Sequence, residues 1–432
     1  MIAYTKNMRS EVVNMGEQKR AILHIDINCF FAAVAMMKEP YLRNVPLAIC
    51  GKTEERHGIV LTANYIAKRQ YGIKTGMVNH EAMKQCKHLE VRSPDMHEIL
   101  RFSHKAVQIG LRYSDRLQRY GSDEFWLDIT GTQHIFGSPM DVARTVSNDF
   151  KRELGITVSI GVADNRITAK LGSDMKKPDG ITEITKENYK DVVYPLPASD
   201  LLFVGPATTR KLRGYGITTI GELAQTNIDY LIRWFGKNGA QLWYFANGLD
   251  TSPVVKGEES QEIKSVGNSF TAYRSLEDNN DVWLFFRKLA QSVAMRMKES
   301  HFKGRRISIW VRNEELAGYT RQRMMEGVTN NEVDIAGAAY KLFSEQQYDW
   351  RIPIRSLGIS VSELVDATYH QQLDFFTDAA ALQKREDLDQ TIFDIRRRFG
   401  MNSIQPAAML SEQKLSRLSP KETHVLVPMP LQ

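Results

Sequence analysis

Two acidic stations constrain what this chain can fold into: Asp26, inside the apolar run AILHIDINCFFAAV, and Asp123-Glu124, inside RYGSDEFWLDIT. Each puts carboxylates into a hydrophobic, strand-like segment, where an uncompensated charge is costly to bury. Only the fold can bring stations so far apart in sequence together. Side by side on one sheet, the three carboxylates would hold two divalent cations, an arrangement that serves phosphoryl transfer. Mg²⁺ suits it, because that ion prefers oxygen ligands and keeps part of its water shell. Singly, neither station decides anything. A Ser-Asp-Glu turn is commonly a solvated hairpin tip, and a lone strand aspartate is commonly hydrogen-bonded locally.

The chain has 432 residues, 42% hydrophobic and 25% charged, an ordinary globular composition with room for roughly three domains of about 150 residues. A net charge of +6 suits a polyanionic partner without identifying nucleic acid. Cys29, Cys50 and Cys86 form no paired framework and no CxxC spacing, as expected of thiols in a reducing cytosol. The first 20 residues lack the apolar core of a signal peptide, and no stretch reaches the roughly 20 apolar residues of a membrane span. The expectation is a soluble, cytoplasmic protein with no membrane partner.

Periodicity predicts strands at Ala21–Asp26, Gly58–Ala63 and Thr157–Val162, with helices over Ala32–Lys38 and Asn64–Tyr71. Tyr120–Thr130 reads as two strands or one strand with an acidic kink. Asp164 or Asn165 can cap a helix running to Met175. Strands alternating with helices over residues 21–185 imply an α+β or α/β layer. Pro195 and Pro197 bracket a linker, residues 199–253 read as helical, and a soft boundary falls at Lys256–Ser260. Beyond it, Val266–Tyr273 and Arg305–Val311 read as strands around a helix from about Val282 to Lys298, and after Asp366 comes a tail with one helix. On that helix Leu388, Ile392, Ile395 and Phe399 form one apolar face, expected to pack in a core, with a partner-binding helix as the second reading.

No GxxxxGK phosphate loop and no GxGxxG fingerprint occurs, and His80-Glu81 fails to complete HExxH because Lys84 follows. His80, Cys86 and His88 lack the fourth ligand and the spacing of a zinc site.

HIDINCFFAAV resembles the first motif of the Y-family (DinB/UmuC-like) DNA polymerases, and YGSDEFWLDIT their second acidic motif. TANYIAKRQYGIKTGM is similar to their fingers motif, and IGVADNRITAKLGSDMKKPDGI to their third palm motif, all four in family order. Within the family the chain looks closer to UmuC-like proteins of Gram-positive bacteria. The resemblance implies an α+β multidomain right hand: a ferredoxin-like palm, small fingers, a helical thumb with a helix–hairpin–helix, and an α/β little finger. Mapped onto this chain, 1–20 is an N-terminal extension, 21–29 and 93–185 the palm, and 30–92 the fingers. The thumb takes 186–256, the little finger 257–366, and the tail 367–432.

Residue by residue, the resemblance makes Asp26, Asp123 and Glu124 the catalytic, metal-binding carboxylates, with the Ile27 carbonyl as a backbone ligand of two Mg²⁺ ions. Phe31 matches the steric gate against a ribose 2′-hydroxyl, while its neighbour Phe30 reads better as core. Tyr65 and Lys177 match triphosphate-binding positions. Where the family has an arginine three residues after the tyrosine, this chain has Lys68 followed by Arg69, so either cation could serve.

VGPATTRKLRGYGITTIGEL resembles a helix–hairpin–helix, in which Gly205 and Gly216 let backbone amides approach a phosphate and Lys211 and Arg213 add charge. Strand alternation puts Arg306, Ser308, Trp310 and Arg312 on one face, a basic surface suited to a phosphate backbone, with Ile307, Ile309 and Val311 behind. Gln372-Leu373-Asp374-Phe375-Phe376 resembles the bacterial sliding-clamp-binding pentapeptide.

The implied function is template-directed, error-prone lesion-bypass synthesis on primer-template DNA with dNTPs, in DNA repair and SOS-type damage tolerance. Accessory subunits or a recombinase filament are compatible with it. The alternative is a catalytically inactive clamp- and DNA-binding scaffold derived from such an enzyme. A palm-fold nucleotidyl cyclase could use similar acids but would have no reason to carry the DNA-binding and clamp features.

Overall fold

The apolar runs that carry the acids form neighbouring antiparallel strands. The computed structural model describes residues 20–51, 58–256, 263–369 and 379–417. The chain divides into two compact units, meeting in sequence between residues 261 and 262.

In the first unit, β1 (Ile22–Ile27) leads into α1 (Phe30–Lys38). Next come β2 (Leu47–Cys50), β3 (Val60–Ala63), α2 (Tyr65–Tyr71), α3 (Asn79–Gln85) and β4 (Glu90–Arg92). There follow α4 (Met96–Leu111), β5 (Leu117–Arg119), β6 (Glu124–Asp128), α5 (Pro139–Asp149), β7 (Val158–Ala163), α6 (Arg166–Met175) and β8 (Ile181–Glu183). The main sheet has the order β5-β6-β1-β7-β8, with β1 central and antiparallel to both β6 and β7. A smaller sheet, β3-β2-β4, forms beside α2 and α3.

Strand β1 is buried on both faces, which is why its apolar run is nearly unbroken. Leu23, Ile25 and Ile27 pack with Ile99, Phe102 and Ile109 of α4 and Val146 of α5. On the opposite face, Ile22 packs with Trp126 and with Ala169 of α6. That second face is unusually close to its helix. A Cβ at Gly161 would meet the Ala169 carbonyl oxygen at 1.8 Å and the Ser173 nitrogen at 2.6 Å, so only glycine lets α6 lie this near β7. Asn165 caps α6 by accepting from the Thr168 N–H. Within Tyr120–Thr130 the structure forms one strand, β6, following the turn at Gly121 (φ +91°); its partner β5 ends at Arg119, ahead of that segment.

After a short helix at Tyr189–Val193 come α7 (Pro206–Gly214), α8 (Ile220–Gln225), α9 (Ile228–Phe235) and α10 (Lys237–Ala246). They surround a core that includes Leu212, Ile220, Leu223, Leu231 and Leu242.

The second unit contains β9 (Ser265–Leu276), α11 (Asn279–Glu299), β10 (Phe302–Asn313), β11 (Gly318–Thr329), α12 (Glu332–Ser344), β12 (Ile354–Asp366) and α13 (Ala379–Phe399). Its sheet, in the order β11-β10-β12-β9, is antiparallel throughout and packs with α11 and α12 in a single core. Ile307, Ile309 and Val311 are buried in that core, as strand alternation requires.

One packing expectation fails. Leu388 and Phe399 are 60% and 66% exposed, so the stripe from Leu388 to Phe399 is not a core face. Helix α13 is instead held by polar contacts. Buried Arg396 donates to Glu332 of α12 at 2.5 Å, and Lys298 of α11 pairs with Asp389. Ion pairs set the helix's rotation, and an apolar stripe cannot reveal that. Among the described residues, no helix is long and apolar enough to cross a membrane.

Candidate active site

Register assembles the two acidic stations. Asp26 lies directly opposite Glu124 across the β1–β6 pair, and the Ile27 N–H donates to the Asp123 carbonyl at 2.9 Å. His24 shares the face of Asp26 two residues earlier and lies opposite Trp126. Helix α6 covers this face and contributes its own charges. Lys170 pairs with Glu124, and Lys177, just beyond the helix, reaches Asp26 at 2.8 Å and Asp174 at 2.7 Å.

The three carboxylates differ electrostatically. Burial, then the charges of Asp26 and Glu124, push the Asp123 carboxyl up to about 6. Burial also raises Asp26, against the pull of Lys177. Glu124 goes the other way: burial opposes its charge, but His24 and Lys170 outweigh it and hold the carboxyl down to about 2. His24 Nε2 lies 3.2 Å from Glu124, and Nδ1 lies 2.8 Å from the Ser173 hydroxyl. Burial pulls the imidazole below its ordinary value, favouring a neutral ring with one N–H for these two neighbours.

All the donors here are oxygens, and repulsion among the carboxylates is what a divalent cation would relieve, so the set fits Mg²⁺. As they stand, two of the acids face lysines, and among the described residues no three His, Cys, Asp or Glu side chains are grouped to hold a metal ion.

The nucleotide-side residues come to the same corner. Tyr65 opens α2, whose N-terminus is capped by Asn64, itself tied to the Val45 carbonyl at 2.8 Å. Lys68 and Arg69 both flank the Tyr65 ring, at 5.1 and 5.3 Å from its centroid, and Arg69 donates to the Lys177 carbonyl at 3.0 Å. Burial pushes the Tyr65 hydroxyl up to about 12, with Asp26 and Lys177 among the charges acting on it. Phe31 is half-buried and meets the buried Phe30 edge-on at 5.9 Å. The expected division of roles fits this burial: Phe30 is core, and Phe31 lines the surface.

Sequence reasoning passed over His24, Asn28, Lys170 and Asp174. Asn28 binds the Ser159 hydroxyl at 2.9 Å and accepts the Asp179 N–H at 2.8 Å, fastening the loop that carries Lys177 to the end of β1. Lys170 and Asp174 could have been found, since positions 170, 174 and 177 recur at helical spacing.

Other candidate residues lie elsewhere. Gly205 caps α7 at φ −78°, and a Cβ added there would meet nothing within 4 Å, so its conformation does not demand glycine. Gly216, at φ +78°, does. Lys211 turns to the Trp234 carbonyl at 2.7 Å, and Arg213 is exposed. A cleft of about 440 Å³ runs between α6 and the segment before α7, lined by Lys170, Asp174, Phe203 and Gly205 among others. In the second unit, Arg306 pairs with Glu363 and Arg312 donates to the Leu316 carbonyl at 3.2 Å. The pentapeptide Gln372–Phe376 lies outside the described residues.

Residues 25–174 match the impB/mucB/samB family, and residues 263–375 match the C-terminal domain of the same family. The fold is similar to a solved Y-family DNA polymerase chimera, with a TM-score of 0.72 and 23% identity over 80% of this chain and 99% of that one. A DNA polymerase IV of Acetivibrio thermocellus is 41% identical over 400 residues, spanning 93% of this chain and 100% of the relative. The chain belongs to the Y family of translesion DNA polymerases. A second relative, DNA polymerase IV 1 of Bacillus subtilis, is 35% identical over 93% of this chain and 95% of its own. As a Y-family member the protein is a DNA-directed DNA polymerase of the metal-dependent, lesion-bypass type, and the inactive-scaffold alternative has no support.

Proposed function

We propose that Asp26, Asp123 and Glu124, with the Ile27 carbonyl, hold two Mg²⁺ ions and that the enzyme extends a primer 3′-hydroxyl with dNTPs on a DNA template. One observation carries this reading: the β1–β6 register that puts Asp26 opposite Glu124 and binds Ile27 to Asp123. When bound, the ions would lower the pKa of the attacking hydroxyl and stabilise the leaving pyrophosphate. The chain's own residues do the rest. Lys170 and Lys177 neutralise the acids while no metal is bound. Tyr65, Lys68, Arg69 and Lys177 bind the triphosphate, which carries about four negative charges and so calls for cations and hydroxyl donors. Phe31 excludes a 2′-hydroxyl.

Primer-template DNA is the second substrate; one structural neighbour, sharing 22% identity, is an insertion ternary complex of Dbh DNA polymerase. Gly205, Arg213 and Gly216 in the first unit and Arg306 and Arg312 in the second contact its phosphates. Lys211 joins them on leaving the Trp234 carbonyl. The Gln372–Phe376 segment binds the sliding clamp, and the enzyme works in the cytoplasm during SOS-type damage tolerance.

Primer extension tests the assignment. Asp123→Ala should abolish incorporation while leaving primer-template affinity within about two-fold. Incorporation within ten-fold of the wild type would overturn the metal assignment.

A further inference from the structure

Beyond the catalytic corner, the helical part of the first unit carries an exposed aromatic stack that none of the roles above uses. Tyr215, just after α7, lies parallel to Trp234 of α9, with ring centroids 3.7 Å apart and planes 5° from parallel. Tyr230, one helical turn before Trp234, continues the ladder at 5.8 Å and 15°. Trp234 is anchored in the helical core, yet Tyr215 and Tyr230 are 44% and 55% exposed. The stack crosses from one helix to another. Lys211 binds the Trp234 carbonyl at 2.7 Å and lies over the Phe235 ring at 4.9 Å.

The charge around the stack is lopsided. Arg210, Lys211, Arg213, Arg233 and Lys237 are all exposed on α7, α9 and the start of α10, against the exposed acids Glu222 and Asp229. A protein-binding patch is normally depleted of charge at its centre. Flat aromatic faces among cations instead suit unpaired nucleobases on a phosphate backbone. Duplex DNA cannot use such a platform, because its base faces are already stacked on each other. The ladder lies beyond the C-terminal end of α7, whereas Gly205 caps the N-terminal end. Nine helical residues, about 13 Å, separate the two.

We propose that Tyr215, Trp234 and Tyr230 form a stacking platform for the unpaired bases of single-stranded DNA, beside the Gly216 turn and at the opposite end of α7 from Gly205. The platform gives the enzyme a hold on single-stranded DNA that does not depend on a paired primer terminus.

Equilibrium binding of the full chain, read by fluorescence anisotropy, tests this with three labelled probes: an oligodeoxythymidylate, an abasic tract of equal length, and a blunt duplex. The wild type should bind the thymidine oligomer more tightly than the abasic tract. Tyr230→Ala should weaken binding of the oligomer by roughly ten-fold, about the value of one stacked base. The same variant should leave the abasic tract and the duplex unchanged, and Tyr230→Phe should behave as wild type. Tyr215→Ala should repeat the loss; should it fail to fold, the exposed outer ring at Tyr230 carries the test alone. Equal wild-type affinity for the thymidine and abasic oligomers overturns the proposal. So does a Tyr230→Ala loss that is equal on all three probes, or a Tyr230→Phe loss as large as that of alanine. Because no nucleotide or synthesis enters the assay, failure here is separate from failure of the metal assignment.

Discussion

Asp123 sits where two other carboxylates and the protein interior all resist its charge, and this has a consequence for stability. Its carboxyl is raised from 3.8 to about 6, so between those values the folded protein keeps a proton that the unfolded chain releases. Its contribution to stability is therefore fully present below about pH 4 and is lost as pH rises through 6. Two units correspond to about 3 kcal/mol at neutral pH as an order of magnitude. Asp123→Asn should thus melt several degrees higher than the wild type at pH 7.5 in excess chelator, and the gap should close below pH 4. Equal melting temperatures at pH 7.5 would show that neither burial nor the neighbouring carboxylates penalise the Asp123 charge in the metal-free protein. Phe31 permits a second test. Phe31→Ala should raise ribonucleotide incorporation relative to deoxynucleotide by ten-fold or more, about 1.4 kcal/mol of discrimination. Unchanged sugar selectivity would remove Phe31 as the gate. At this scale the carboxylates were legible because charge in an apolar strand demands an explanation. His24 was not, because a histidine in a strand is unremarkable until the register brings it to Glu124, and Lys170 was marked only by its helical spacing to positions 174 and 177.

Helix α6 is the element that turns a sheet with acids into a balanced site, since Lys170 lies within it and Lys177 just beyond it. Its position depends on Gly161, where an added methyl would meet backbone atoms that no side-chain rotation can move aside. Gly161→Ala should therefore push α6 off β7, at the upper end of the roughly 1–3 kcal/mol typical of overpacking. In a unit of this size that is a fall of roughly 4–10 °C in Tm, accompanied by loss of extension as Lys170 and Lys177 shift. Gly205→Ala, with open space around it, should leave Tm unchanged. Calorimetry on the two variants checks both; a silent Gly161→Ala would mean that the helix is free to slide. The sequence announced α6 through its Asn165 cap and its periodicity. Neither signal carries the distance between helix and sheet, which is set by glycines that look like ordinary small residues. The same limit applied to α13, whose apolar stripe suggested a core face while Arg396 and Asp389 determined its rotation.

Over the whole molecule, the three carboxylates and α13 belong to different compact units, each with its own hydrophobic core. The order of the motifs along the chain made the first unit readable. The second was read through two of its strands and the helix between them; β11 escaped because its run of polar residues buries no face and carries no apolar alternation. The pentapeptide Gln372–Phe376 follows β12 and precedes α13, so in sequence it is flanked on both sides by elements of the second unit. Substituting it should leave the first unit's core and carboxylates untouched. Its apolar side chains, Leu373, Phe375 and Phe376, are what a clamp pocket would bury, each contributing roughly 1.5–3 kcal/mol when fully removed from water. Gln372→Ala combined with Phe375→Ala should therefore abolish stimulation by a bacterial sliding clamp on primed circular DNA. Basal extension on a short linear primer-template should stay within two-fold of wild type. Loss of both activities together would mean that the segment supports the fold of its own unit, and full stimulation by the variant would remove the clamp assignment.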